Sequence, residues 1–143
     1  MRFHRLFPVA ILLTLFGALA VLPGSANARE RNGAAAEVQR IRAHFDSVLT
    51  ELVLRDASSL TEAQRTERAA LVATLRAYRD RGVFPHNYDF PDRATPNFVD
   101  RKTGTLCAVA HLLASTGRRD IVDRVARMDN NVLVAQLALT PVD

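Results

Sequence analysis

The chain has 143 residues, 48% hydrophobic and 24% charged, with a net charge of +4 and one cysteine. That length suits a domain with its own core, and a single cysteine excludes an internal disulfide framework. All but one of the 19 basic residues are arginine, spread along the chain without the dense basic stripe and interleaved aromatics of a nucleic-acid surface, so no nucleic-acid partner is expected.

The first 28 residues read as a cleavable secretory signal. Arg2, His4 and Arg5 form a positive start, and Val9 to Leu22 is apolar apart from Thr14 and Gly17. Pro23, Gly24 and Ser25 break this run, and Ala26-Asn27-Ala28 supplies the small residues of a peptidase site. The run is shorter than the roughly 20 residues that span a bilayer, so no stable membrane anchor is expected after cleavage. The working protein would then be residues 29–143, one small domain acting in the periplasm or secreted. Losing the leader removes two arginines and no acid, which takes the charge from +4 to +2.

From Ala34 to Asp56, Val38, Ile41, Phe45, Val48, Leu49 and Leu52 recur at helical spacing, with His44 at the edge of the face. After a short connection over 57–60, Thr61-Glu62-Ala63-Gln64 has the spacing of a capping box. It opens a helix to Arg81 that buries Leu71, Val72, Leu75 and Tyr78, with Gly82 as its C-terminal cap. So short a connection predicts an antiparallel helix hairpin.

Val83 to Gly104 differs from the rest. Pro85, Pro91 and Pro96 forbid a continuous helix, yet Phe84, Tyr88, Phe90 and Phe98 are four of the six aromatics beyond residue 28. A loop so long and aromatic is expected to be ordered, with Phe84, Phe90 and Phe98 turned inward. His86, Asn87, Tyr88 and Asp89 would be left on the surface. Phe98-Val99-Asp100 reads as a short strand and Lys102-Thr103-Gly104 as a turn.

Leu106 to Ser115 reads as a central buried helix ended by Gly117. Asp120 to Met128 reads as an amphipathic helix, and Asn130 or Asn131 as the cap of a last helix from Val132. The expectation is an all-α bundle of about five helices with one long ordered loop.

Phe84-Pro85-His86-Asn87, then Pro96-Asn97-Phe98-Val99-Asp100, then Gly104-Thr105-Leu106-Cys107-Ala108-Val109-Ala110, resembles a pattern found in a family of exported bacterial proteins. That pattern runs F-P-x-N, P-x-F-x-D-x-x-G-x-x-C-A-V-[AG], then an apolar helix and an Asn-rich turn. The likeness spans about residues 82–139. The family has no established activity, and the resemblance therefore implies a place and a shape rather than a reaction. At the position of His111 the pattern commonly carries an aromatic residue, which argues against an essential role for that imidazole.

Cys107, His86 and Asp100 are the candidate catalytic residues. Cys107 opens a helix after a glycine turn, where backbone amides stabilise a thiolate and lower its pKa. His86 or His111 would be its base, and Asp100 or Asp89 would orient that base. Gly-x-x-Cys at a helix start resembles papain-like and transglutaminase-like nucleophiles. Those folds place their histidine on a later strand, whereas here only His111 follows, one helical turn on. Free cysteine is among the most buried residue types, and the inert core thiol is the expectation. Cys107 and His111, even with His86 and Asp89, lack the spacing of a zinc set, so no metal or other cofactor is expected. Two functions follow. One is an exported helical binding domain that meets a protein or small molecule through the 84–104 loop and the start of the Cys107 helix. The alternative is a thiol-dependent hydrolase or transferase with Cys107 as nucleophile.

Overall fold

The structure, a computed structural model, describes residues 24–90, 92, 95–133 and 136, with side chains from Arg29 onward. Four helices are described: α1 (Gly24–Leu54), α2 (Glu62–Arg81), α3 (Ala108–Ser115) and α4 (Arg119–Met128). The fold is all-α, and among the described residues no extended strand forms. The apolar run Val9 to Leu22 and most of the fifth helix expected from Val132 lie outside the described residues.

α1 starts ten residues before the expected Ala34 and runs through the Ala28-Arg29 junction. Every residue from Arg29 to Ala36 is exposed, so this first part of α1 buries little surface. Its alanines and arginines carry good intrinsic helix propensity, which sustains an exposed extension. Among the described residues no helix is long and apolar enough to cross a membrane.

The α1–α2 hairpin is antiparallel, as its cross-helix bonds show. Arg42 Nη2 donates to the Asp80 carbonyl at 2.9 Å and Arg79 Nη2 to Asp46 at 2.6 Å, and at the far end Arg68 donates to the Leu52 carbonyl. Both sides of the expected capping box form: Gln64 N–H bonds the Thr61 hydroxyl, and Thr61 N–H bonds the Gln64 side chain. Gly82 ends α2 at φ +65°, a left-handed conformation that glycine adopts without strain. A β-carbon there would also meet the Arg42 guanidinium that satisfies the last carbonyls of α2.

Two apolar clusters lie on either side of α3. Leu49, Leu75 and Tyr78 join Phe45, Val48, Leu52, Val72 and Phe84 against Ala108 and Leu112. On the other side, Phe98, Ala110 and Val122 pack with Val99, Leu106, Val109, Leu113 and Val125. α3 thus stands between the hairpin and α4, as its apolar composition predicts. Only Ala110 of α3 is fully buried, because a helix of eight residues cannot be covered all round by so small a domain.

Candidate functional site

The site is built on a tight reversal just before α3. Val99 and Leu106 form an isolated antiparallel bridge, in place of the expected strand at Phe98-Val99-Asp100. Cys107 N–H donates to the Phe98 carbonyl at 3.0 Å, and Asp100 N–H to the Thr105 carbonyl at 2.8 Å. Gly104, at φ +73°, closes the turn by donating to the Asp100 carbonyl at 2.7 Å. The Asp100 side chain holds this turn from within, at 2% exposure. Its Oδ1 accepts from the amides of Lys102 at 2.9 Å and Thr103 at 3.2 Å, and its Oδ2 from the amide of His86 at 3.4 Å. Burial pushes this carboxyl up, but the amides of Lys102, Thr103 and His86 outweigh it and hold the pKa below the usual aspartate value.

Side-chain amides hold other described residues of the loop. Asn87 is buried; its Oδ1 accepts from Asp89 and Phe90 N–H, and its Nδ2 donates to the Thr95 carbonyl at 2.7 Å. Buried Asn97 accepts from Tyr88 N–H at 3.2 Å and donates to Asp89 at 3.1 Å and to Asn131 at 3.1 Å. Asn131 donates to the same Asp89 oxygen at 3.0 Å. Hydrogen bonds from Asn131 and Asn97 hold the Asp89 carboxyl below its usual pKa. Asn130, 6% exposed, faces the loop as an extra strand residue would. It takes Val99 N–H on Oδ1 and gives Nδ2 to the Val99 carbonyl, both at 2.9 Å, while its own carbonyl accepts Phe98 N–H at 2.7 Å. Asn130 and Asn131 thus form a clamp between the end of α4 and the loop, and most of the last helix they were expected to cap lies outside the described residues.

Two of the three expected aromatic anchors face inward. Phe98 is 4% exposed, and Phe84 stacks at 5.9 Å on Phe45 and meets Tyr78 at 5.5 Å. Phe90 is 41% exposed and is not an inward anchor. Asn87, expected at the surface, has taken the interior place, because its amide satisfies three loop backbone groups and a phenyl ring satisfies none. The exposed residues are His86, Tyr88 and Asp89. The His86 ring lies 5.4 Å from that of Tyr88, and Lys102 Nζ sits 3.6 Å above the Tyr88 ring centre.

Cys107 is the N-cap of α3 rather than a residue inside it; its sulfur accepts from Ala110 N–H at 3.5 Å. Burial raises the thiol pKa, and the amides of Ala110 and Val109 offset this only in part. The expected lowering by the helix amides is thus reversed by desolvation. Among the described residues no hydrogen bond joins the His86 imidazole to Cys107 or Asp100; Asp100 meets the His86 backbone instead. The neighbour of Cys107 is Tyr78, whose hydroxyl donates to the Leu106 carbonyl at 3.0 Å and whose pKa is raised by burial and by the nearby thiol. Native protein should therefore react with a thiol reagent roughly tenfold or more slowly than unfolded protein. Rapid labelling of the native chain at neutral pH is the result that contradicts a raised pKa.

His111 stacks on Tyr78 with ring centres 5.2 Å apart, and Arg81 covers Tyr78 at 5.1 Å. Burial and the Arg81 charge lower its pKa from the ordinary value of 6.5. The unfolded chain therefore takes up this proton first. The stabilisation is present above about pH 6.5 and is lost as pH falls through the lower folded value. His111→Phe keeps the stacking and removes the titration, so the drop in Tm between pH 7 and pH 5 should be smaller in this variant than in the parent. An equal drop in both chains would contradict the assignment.

Among the described residues no cluster of three or more His, Cys, Asp and Glu forms a metal-ligand set. A separate open groove of about 520 Å³ lies between the hairpin and α3, lined by Leu52, Leu60, Leu71, Val72, Leu75 and Leu112. Of its polar neighbours Gln64, Glu67 and Arg68, Gln64 is committed to the Thr61 cap and Arg68 to the Leu52 carbonyl. No family model, curated protein or solved structure matches the chain.

Proposed function

We propose that residues 29–143 form an exported binding domain that meets a protein or small-molecule partner through the 84–104 loop and the first turn of α3. One observation carries this reading. His86 and Tyr88 are displayed on backbone whose N–H groups are tied to the buried side chains of Asp100 and Asn97. A surface fixed before its partner arrives loses little conformational entropy on binding, and an exposed tyrosine supplies large contact area with few rotatable bonds. The thiol-enzyme alternative is less well supported, because burial raises the Cys107 pKa and the Asp100 carboxylate is committed to backbone amides. Export fits the domain as well, since the α1 residues just beyond the expected cleavage point are exposed.

The test is site-specific photo-crosslinking in the exporting host. Benzoylphenylalanine at Phe90 should give a discrete adduct, and the same probe at exposed Thr50 on α1 should not. The adduct should survive Cys107→Ala. No adduct at either position, or equal adducts at both, would count against the loop as the contact surface.

A further inference from the structure

Resting on the loop as contact surface, the geometry points to an acidic peptide segment as its occupant. We propose that an Asp or Glu side chain is received between Lys102 and His86, and that the adjoining part of the peptide lies on Tyr88. Lys102 is the single lysine of the chain, and it is exposed. Several exposed arginines hold carboxylates, Arg40 with Glu37, Arg55 with Glu51, Arg118 with Asp120 and Arg119 with Asp123, and others, such as Arg65 and Arg101, bond backbone carbonyls. Among the described residues the Lys102 side chain does neither. Its ammonium lies on the Tyr88 ring, and among the described residues no carboxylate lies within ion-pair distance of it.

The acids around the patch are already engaged. Glu37 of α1 is near enough to His86 to feel its charge, yet its two oxygens bind Arg40 at 2.8 and 2.7 Å. Asp89 is held by Asn97 and Asn131, and Asp100 by the amides of its turn. The folded loop therefore presents an ammonium and an imidazole beside an exposed phenol ring, with no internal acid turned toward the ammonium. An ammonium on a ring face stays strongly hydrogen-bonding along its outer directions, and imidazole offers an N–H donor in either protonation state.

The same surroundings disfavour a polyanion. An anionic bilayer or a nucleic acid needs several cations close together. Here the loop carries a single lysine together with exposed Asp89 and Asp92, too little positive charge for a polyanion. A peptide supplies an isolated carboxylate together with apolar or amide groups for the Tyr88 ring.

The experiment pans a random-peptide display library against the processed chain and its Lys102→Glu and Tyr88→Ala variants, with phosphatidylglycerol vesicles as a parallel probe. Both substituted positions are solvent-facing, and circular dichroism confirms that each variant is folded. The expected result is enrichment of Asp- or Glu-containing peptides whose binding falls about tenfold or more in both variants. Peptides that need Tyr88 but carry no acid, or that survive Lys102→Glu, overturn the acidic partner and leave the loop as the surface. Enrichment indifferent to both substitutions overturns the contact surface as well. An absence of enriched peptides, or vesicle binding that Lys102→Glu abolishes without any peptide enrichment, overturns the peptide inference.

Discussion

Phe98→Ala is expected to cost about 3–5 kcal/mol, the range for a buried phenylalanine cut back to its β-carbon. The ring sits among Ala110, Val122 and their neighbours, where it joins the loop to α3 and α4 together. Collapse around the lost ring is resisted on both sides of the backbone. Phe98 N–H is held by the Asn130 carbonyl, and the Phe98 carbonyl by Cys107 N–H. The cavity should therefore persist, and the cost should fall toward the upper part of the range. Small domains have only about 5–15 kcal/mol of net stability, so the midpoint should fall by on the order of 10–20 °C. Phe90→Ala serves as the control, because that ring is 41% exposed. It should cost well under half as much in the same urea titration. Equal losses for the two variants would mean that Phe98 does not anchor the loop.

Asn130→Ala should cost about 2–4 kcal/mol, although it removes a side chain without a large apolar surface. Both bonds of its amide go to one residue, Val99, which pairs with no other strand on that side. Truncation leaves a donor and an acceptor unpaired in a partly buried place, and each such group costs about 1–3 kcal/mol when water cannot replace the bond. Asn130→Asp is the sharper variant. It keeps an acceptor for Val99 N–H but turns a carboxylate oxygen toward the Val99 carbonyl, and it should be at least as damaging as alanine. Chemical unfolding of both variants checks this. A cost below about 0.5 kcal/mol, within the range of an ordinary surface change, would contradict the clamp.

How much of this was legible in the sequence depends on the kind of signal. The capping box at Thr61 and Gln64 and the glycine cap at Gly82 were readable because each depends on residues a few positions apart. The hairpin followed from its short connection, and the buried Phe98 from the need to anchor a long loop. The fourth helix and the reversal before α3 were placed to within a residue or two. Asn87, Asn97, Asn130 and Asn131 were readable only as turn-formers or caps. Apart from the local Asn87 bonds to Asp89 and Phe90, their side-chain partners lie 8 to 42 positions away, and a polar side chain gives no periodicity that reveals a long-range bond. Aromatic burial was taken as the large compensation for ordering the loop, and this undervalued the amides. Phe90 stayed outward and Asn87 went in, because an unpaired backbone group is dearer inside than an exposed ring is outside. Lys102 passed for a turn residue until its ammonium was seen on Tyr88. For Cys107 the helix position alone points to a lowered pKa, and the burial expected of a free cysteine outweighs it.

The central claim is that residues 84–104 form an ordered, side-chain-clamped surface, and native-state amide exchange tests it most directly. The amides of Tyr88 and Phe90 bond Asn97 and Asn87, that of Val99 bonds Asn130, and those of Lys102 and Thr103 bond Asp100. These five should exchange far more slowly than in an unstructured peptide, and Asn130→Ala should selectively release Val99. Exchange at free-peptide rates across 84–104, with α1 and α2 still protected, would make the segment a disordered linker and contradict the account.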